Sequence, residues 1–327
     1  MRNAKQRSSF WTVFSVKEEK VLKRILDLNA SDLASMTKEE KLLSIKAAEG
    51  RTLVSEIIGV FPPILYDVSN VEVACAFGAD IILLNFYDVD NPMVLGLPTE
   101  KGESVIKEIK RLTGRMVGIN LEPVDENAVV IDERVNLSKG RMASAENVQK
   151  AIEQGVDMVV LTGNPKTGVT NEAIVKKINE ISSVAGDKII IAAGKMHAAG
   201  SRNESGKGII DQETVLQFIK AGTDILLLPA PGTVPGMTVE YVKSLVDFAH
   251  EHHCMAMTTI GTSQEGADPD TIKSIALYSK MTGTDMHHIG DCGMSPGIAT
   301  PENIMTYSIV IKGKRHTYRR MARSVNR

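Results

Sequence analysis

Eight short apolar runs punctuate the chain, at residues 52–58, 81–86, 116–121, 158–162, 188–193, 224–228, 254–260 and 286–289. They are built mostly of Ile, Leu, Val and Met without strict polar alternation, as expected of strands covered on both faces. A polar or glycine-rich break follows each run, and then a stretch that is amphipathic at helical spacing. Each unit reads as a βα pair, and eight such pairs close into a (β/α)8 barrel, the TIM-barrel form of the α/β class. In that fold the chemistry sits at the carboxyl ends of the strands, so the pattern predicts the place of the site before its reaction.

The helices announce themselves by their caps. Ser69-Asn70 precedes residues 71–77, Ser144 precedes 145–154, Asn171 precedes 172–184, and Asp211 precedes 212–221. Thr238 precedes 239–253, Asp268-Pro269 opens a helix through Met281, and Thr300-Pro301 opens the last one. A weak repeat supports the scheme. Gly78-Ala79-Asp80, Gly155-Val156-Asp157, Gly222-Thr223-Asp224 and Gly283-Thr284-Asp285 each end a helix and begin a strand, in every second unit.

Residues 1–51 read as an N-terminal helical extension and 52–327 as the barrel. Residues 16–28 repeat apolar positions at helical spacing, and Thr37-Lys38-Glu39-Glu40 is a capping-box pattern. The extension is expected beside the amino-terminal mouth, where it also offers an oligomer contact. Residues 64–68 are strand-like too; the reading preferred here takes 52–58 as the first strand and 61–68 as an elaborated connection.

The 327 residues exceed the roughly 250 of a plain barrel by about this extension. A net charge of −2 argues against a nucleic-acid partner. No apolar run has the length of a membrane span, and residues 1–20 lack an uninterrupted apolar stretch of the secretory kind. Three cysteines, Cys75, Cys254 and Cys292, have no metal-like spacing, which fits a reducing cytoplasm. A cytoplasmic homo-oligomer is the expectation. The basic tail from Lys312 to Arg327, free of acidic residues, reads as a solvated face or as a surface docking on an acidic neighbour.

The candidate chemistry lies where strands end. Glu56 interrupts the first apolar run, and a carboxylate there is either an active-site group or half of a structural ion pair. Asn85 and Asp88 follow the second run, Asn120 and Glu122 the third. Asp88 with Glu122 is the expected pair of magnesium ligands, and Glu122 is also a candidate base; an Asp/Asn turn is the ordinary alternative for residues 88–92. Thr162 and Asn164 after the fourth run offer donors to a carboxylate or phosphate. Lys195 and His197 after the fifth read as charge neutralisation and proton transfer, with a Schiff-base aldolase as the alternative use of Lys195.

After the last two runs, Thr259, Gly261, Thr262 and Ser263, and then Gly290 and Gly293, supply glycines and hydroxyls suited to an anion. In Met286-His287-His288-Ile289 alternation lets only one histidine face the barrel interior. Loops after strands are long, notably 122–142, 195–210, 229–237, 261–267 and 290–299, as befits a site on that face, and residues 195–208 have the composition of a lid.

The stretch Gly155-Val156-Asp157-Met158-Val159-Val160-Leu161-Thr162-Gly163, with residues 188–194 and 221–228, resembles phosphate-binding barrels of the BtpA type and, more distantly, the histidine-biosynthesis barrels. Tyr66-Asp67-Val68-Ser69 before residues 74–80 is similar to the opening units of the phosphoenolpyruvate mutase and isocitrate lyase superfamily, whose Lys-Lys-Cys-Gly-His lyase motif is absent here. These resemblances imply the barrel fold. The expectation that emerges is an isomerase or lyase acting on a small phosphorylated or carboxylated metabolite, with magnesium as the expected cofactor and no organic one. A ligand-sensing or assembly barrel is the non-enzymatic alternative.

Overall fold

The computed structural model describes residues 22–98, 104–125, 135–164, 166–198 and 206–327. Eight parallel strands close in sequence order: β1 (Thr52–Ile58), β2 (Ile81–Asn85), β3 (Met116–Leu121), β4 (Met158–Leu161), β5 (Ile190–Gly194), β6 (Ile225–Pro229), β7 (Met255–Ile260) and β8 (Met286–Ile289). Closure pairs β8 with β1, from Thr52 opposite Met286 to Ser55 opposite Ile289. Thr52–Ile58 is the first strand. Residues 64–68 form no strand and carry a single isolated bridge, Leu65 to Val68.

The helices are α1 (Ala30–Ala34), α2 (Lys38–Lys46), α3 (Asn70–Ala76), α4 (Val105–Thr113), α5 (Ala145–Gln154), α6 (Asn171–Ala185), α7 (Gln212–Ala221), α8 (Val239–Glu251), α9 (Pro269–Met281) and α10 (Pro301–Ala322). The cap of α6 is Thr170, which accepts from the Ala173 N–H, one residue before the expected Asn171. Asn171 instead donates to the Ile209 carbonyl. Thr300 makes no side-chain cap bond, leaving Pro301 to set the start of α10.

Alternation along the strands divides the core in two. Leu53, Ile82, Val117, Val159, Ile191, Leu226 and Ala256 pack outward against the helices. Val54, Ile81, Leu83, Met116, Met158, Ile190, Ile225 and Met286 fill the barrel interior. Ile25, Leu26, Leu28, Leu33 and Ile45 of the extension join this interior cluster and plug the amino-terminal mouth. The expected helix over 16–28 is not what the described part of that segment forms. Residues 25–27 make one 3-10 turn, because Ile25, Leu26 and Leu28 are all drawn under the barrel and no single helical face presents all three. Residues 16–21 lie outside the described residues.

The Gly-x-Asp repeat acquires a physical meaning at this closed end. Oδ2 of Asp80, Asp157, Asp224 and Asp285 accepts the backbone N–H of Leu53, Val117, Ile191 and Ala256 at 2.8–2.9 Å. Each aspartate N–H returns a bond to the carbonyl of that same residue. The motif thus staples β2 to β1, β4 to β3, β6 to β5 and β8 to β7. Each carboxylate also has a basic partner: Lys312 and Arg320 on Asp80, Lys41 and Lys110 on Asp157, Lys38 on Asp224 and the His250 imidazole on Asp285.

The basic tail is therefore not merely a solvated face. Gly313, at φ +74°, breaks α10 so that its second half folds back, and Lys312 and Arg320 are buried against Asp80. Arg319 bonds Asp27 at 2.7 Å, tying the tail to the extension. Among the described residues no helix is long and apolar enough to cross a membrane.

Asp80→Asn would strand two buried cations, and we expect a loss of about 3–5 kcal/mol in urea unfolding. Asp285→Asn should cost clearly less, since its partner His250 is 40% exposed. Equal losses would contradict this account of the closed end.

Candidate active site

The carboxyl ends of the strands open into a cavity of about 510 Å³, a volume suited to a small metabolite. Inward positions at the strand tops supply Glu56, Asn85 and Asn120, and Thr162 follows directly after β4. The loops add Arg141, Asn164, Lys166, Met196, His197, Gly261, Ser263, Glu265, Gly290, Asp291 and Gly293.

One hydrogen-bonded network crosses the floor. Glu56 Oε1 accepts from Asn120 Nδ2 at 2.6 Å, and its Oε2 lies 3.1 Å from Nε2 of His288. Asn120 Nδ2 also donates to Asn85 Oδ1 at 3.2 Å, while Asn85 Nδ2 donates to Asp291 Oδ2 at 2.8 Å. Asn85 and Asn164 exchange amide bonds of 3.1 Å in each direction. Asn164 reaches Glu122 twice, from its side chain at 2.8 Å and its backbone N–H at 3.0 Å. Arg141 bonds Glu122 at 2.8 Å and stacks 4.3 Å from the centroid of the Phe86 ring. A buried carboxylate requires donors, and three asparagines bridge the acids here without adding charge.

Alternation separates the two neighbouring histidines as expected. His288 faces inward to Glu56, whereas His287 faces outward, with Nε2 at 3.1 Å from the Gly50 carbonyl and its ring against Tyr307.

Burial sets the electrostatics. It pushes the Asp291 carboxyl up to about 6, helped by the nearby Glu56 charge and opposed by the hydrogen bonds from Asn85 and Gly293. It raises Glu265 as well, with the charge of Asp291 contributing, and it lowers the His197 imidazole below its usual value. Glu56, Glu265 and Asp291 come from β1 and the loops after β7 and β8. Arg141 and Lys166 come from the loops after β3 and β4, so the cavity is polarised.

Of the residues singled out by sequence, Glu56, Asn85, Asn120, Thr162, Asn164, His197, Gly261, Ser263, Gly290 and Gly293 all line this cavity. Glu122 stands behind it, holding Asn164 and Arg141 in place. Thr259 and Thr262 donate to the carbonyls of Leu228 and Thr233 at 3.0 Å each, and they do not line the cavity. Lys195 is buried outside the lining; burial lowers its amine to about 8 against the opposing charge of Glu172.

Asp88 adopts the turn alternative. Its Oδ1 accepts from the N–H groups of Asp90 and Asn91, and a Cβ on Gly140 would fall 1.9 Å from that oxygen. Among the described residues no three His, Cys, Asp or Glu side chains are grouped to hold a metal. Gly290 answers to packing, since a Cβ there would lie 2.6 Å from the Ile260 carbonyl. The same two loops bring the Glu265 and Asp291 carboxylates to the cavity, a poor environment for a phosphate.

Sequence reasoning passed over four functional candidates: Arg141, Glu265, His288 and Asp291. The two-residue period could have chosen His288 as the inward histidine facing Glu56. Asp291 sits between two glycines that drew the reading toward anions. Arg141 and Glu265 lie in single 3-10 turns of the loops after β3 and β7, too short for a periodicity to mark them. Much of the 195–208 segment, and residues 126–134 of the loop after β3, lie outside the described residues.

Among curated proteins none matches the chain. Solved structures similar to it include a thiamine phosphate pyrophosphorylase from Pyrococcus furiosus, 13% identical, covering 81% of this chain and 97% of that one at a TM-score of 0.45. A lyase/mutase of provisional assignment from Burkholderia cenocepacia is also 13% identical, covering 77% and 81% at a TM-score of 0.44. Neither likeness assigns an activity. The chain belongs to the family described as a domain of unknown function, DUF7916, whose profile matches residues 26–327, the barrel together with part of its extension.

Proposed function

We propose that this cavity is the active site of an isomerase or lyase that moves a proton beside a carbonyl or carboxyl group of a small anionic metabolite. The observation that carries this reading is the pairing of two unlike acids through one amide network. Glu56 is tied to His288 and Asn120, while Asp291, three hydrogen bonds away through Asn120 and Asn85, is raised by burial to about 6. A carboxyl raised by burial is suited to give up a proton while a second carboxylate nearby takes one. Glu56 acts as the base, and Asp291 supplies a proton to the developing oxyanion. Asn85 and Asn120 fix the two carboxyls relative to each other, and Arg141 with Lys166 receives the anionic end of the substrate.

Proton transfer of this kind exchanges substrate hydrogen with solvent. In D2O, NMR should detect deuterium entering one member of a panel of 2-oxo acids and sugar phosphates. Glu56→Gln should slow that exchange by about 10²–10⁴-fold with its fold intact. Exchange unaffected by the substitution would remove Glu56 from the mechanism. Running the assay with magnesium and with a chelator tests the expected cation requirement.

Asp291 also leaves a signature in stability. Between the ordinary aspartate value of 3.8 and about 6, the folded protein binds more protons at this site than the unfolded chain. Stability is therefore lost as pH rises through that window. Asp291→Asn cannot ionise, so relative to the parent it should gain about 1–3 kcal/mol between pH 4 and pH 7 in thermal unfolding. A difference that stays flat with pH would contradict the shift.

A further inference from the structure

The cavity gathers three carboxylates, Glu56, Glu265 and Asp291, none more than 9% exposed. An acidic cluster alone defines no ligand, but its surroundings add independent information. Among the described residues, Glu265 Oε2, Asn120 Oδ1 and Thr162 Oγ1 are buried without a hydrogen-bond partner. All three side chains line the cavity and are 4–5% exposed.

The Asn120 amide is oriented by its donation to the Glu56 carboxylate, which leaves its oxygen as the unmatched atom. Two of the three unmatched atoms are therefore acceptors, and a buried acceptor is expensive to leave without a donor. Their complement is a group rich in donors, and the surrounding acids call for positive charge. A divalent ion is the first alternative, but no three side chains of the right type are grouped to hold one among the described residues. An ammonium group, compact and with three donors, meets both demands. The loops after β3 and β4 bring Arg141, which also bonds Glu122, and Lys166 to the same cavity, cations of the kind that receive a carboxylate or phosphate.

We infer that the substrate is a small zwitterion, its ammonium group set against Glu265 Oε2 and Asn120 Oδ1 and its carboxylate or phosphate against Arg141 and Lys166. This deepens, and rests on, the reading of the cavity as an active site. It also accounts for acids lining the two loops where glycines alone had suggested a phosphate.

The test is a matched series of amino, hydroxy and oxo acids of roughly three to six carbons, each with and without a distal phosphate, a size the cavity accommodates. Binding to the intact protein is measured by thermal shift and calorimetry. The amino member of the best-binding set should bind at least about tenfold more tightly than its hydroxy counterpart, the effect of one charge-assisted bond. Glu265→Gln should erase most of that preference while changing hydroxy-acid affinity by less than about twofold. If that variant does not fold, Asp291→Asn should weaken the preference in the same direction.

A hydroxy or oxo acid bound as tightly as the amine would overturn the zwitterion and leave proton transfer to be judged by the exchange assay. Stabilisation by magnesium or manganese alone would overturn it in favour of a metal. Binding by no member of the series would overturn both readings.

Discussion

A carboxylate placed inside a barrel must find its hydrogen-bond donors inside the barrel, and the mouth of this protein is organised around that requirement. Glu56 sits on an otherwise largely apolar strand, so its partners come from other strands of the barrel. Asn120 donates to it from β3, and Nε2 of His288 on β8 lies 3.1 Å from its other oxygen. Asn85, between them on β2, then links Asn120 to Asp291 and Asn164. Parallel closure in sequence order is what brings these positions together, because every strand presents its carboxyl end to the same mouth. The network is thus a consequence of strand register, with the loops attached to it rather than defining it.

The two ends of the barrel handle buried charge in opposite ways. At the closed end each repeat aspartate accepts a backbone N–H and has a basic side chain as partner, so its work is structural. At the open end, acids are joined by neutral amides. Asp291 and Glu265 are correspondingly pushed toward the protonated form. Full compensation gives rigidity, and partial compensation leaves groups able to exchange protons near neutral pH. The extension and the folded-back tail add to the rigid end, through Lys38, Lys41, Lys312 and Arg320.

Much of this was legible in the sequence, because burial on both faces and helix capping are local signals. All eight strands and the helix caps of α2, α3, α5, α7, α8 and α9 follow from them. Glu56 stood out because it broke an apolar run, and Asn85, Asn120 and Thr162 because they ended one. What escaped depends on distant partners. Asp88 reads as a metal ligand in the sequence, and the structure shows its Oδ1 bonded within its own turn. Lys195 reads as a mouth residue in the sequence, and the structure buries it outside the lining of the cavity. Glu265 and Arg141 acquire their meaning only when loops more than a hundred residues apart converge. Residues 25–28 escaped for a different reason: Ile25, Leu26 and Leu28 are all buried under the barrel, which one helical face does not allow.

The central claim is that burial raises the Asp291 carboxyl to about 6, so that it can exchange a proton near neutral pH. The most direct measurement is a carbon-13 NMR titration of the side-chain carboxyl groups, with the Asp291 signal assigned by its loss in Asp291→Asn. The account predicts a carboxyl that takes up its proton near pH 6 and disappears in the variant. An Asp291 signal that titrates near 4, as an exposed aspartate does, would contradict it.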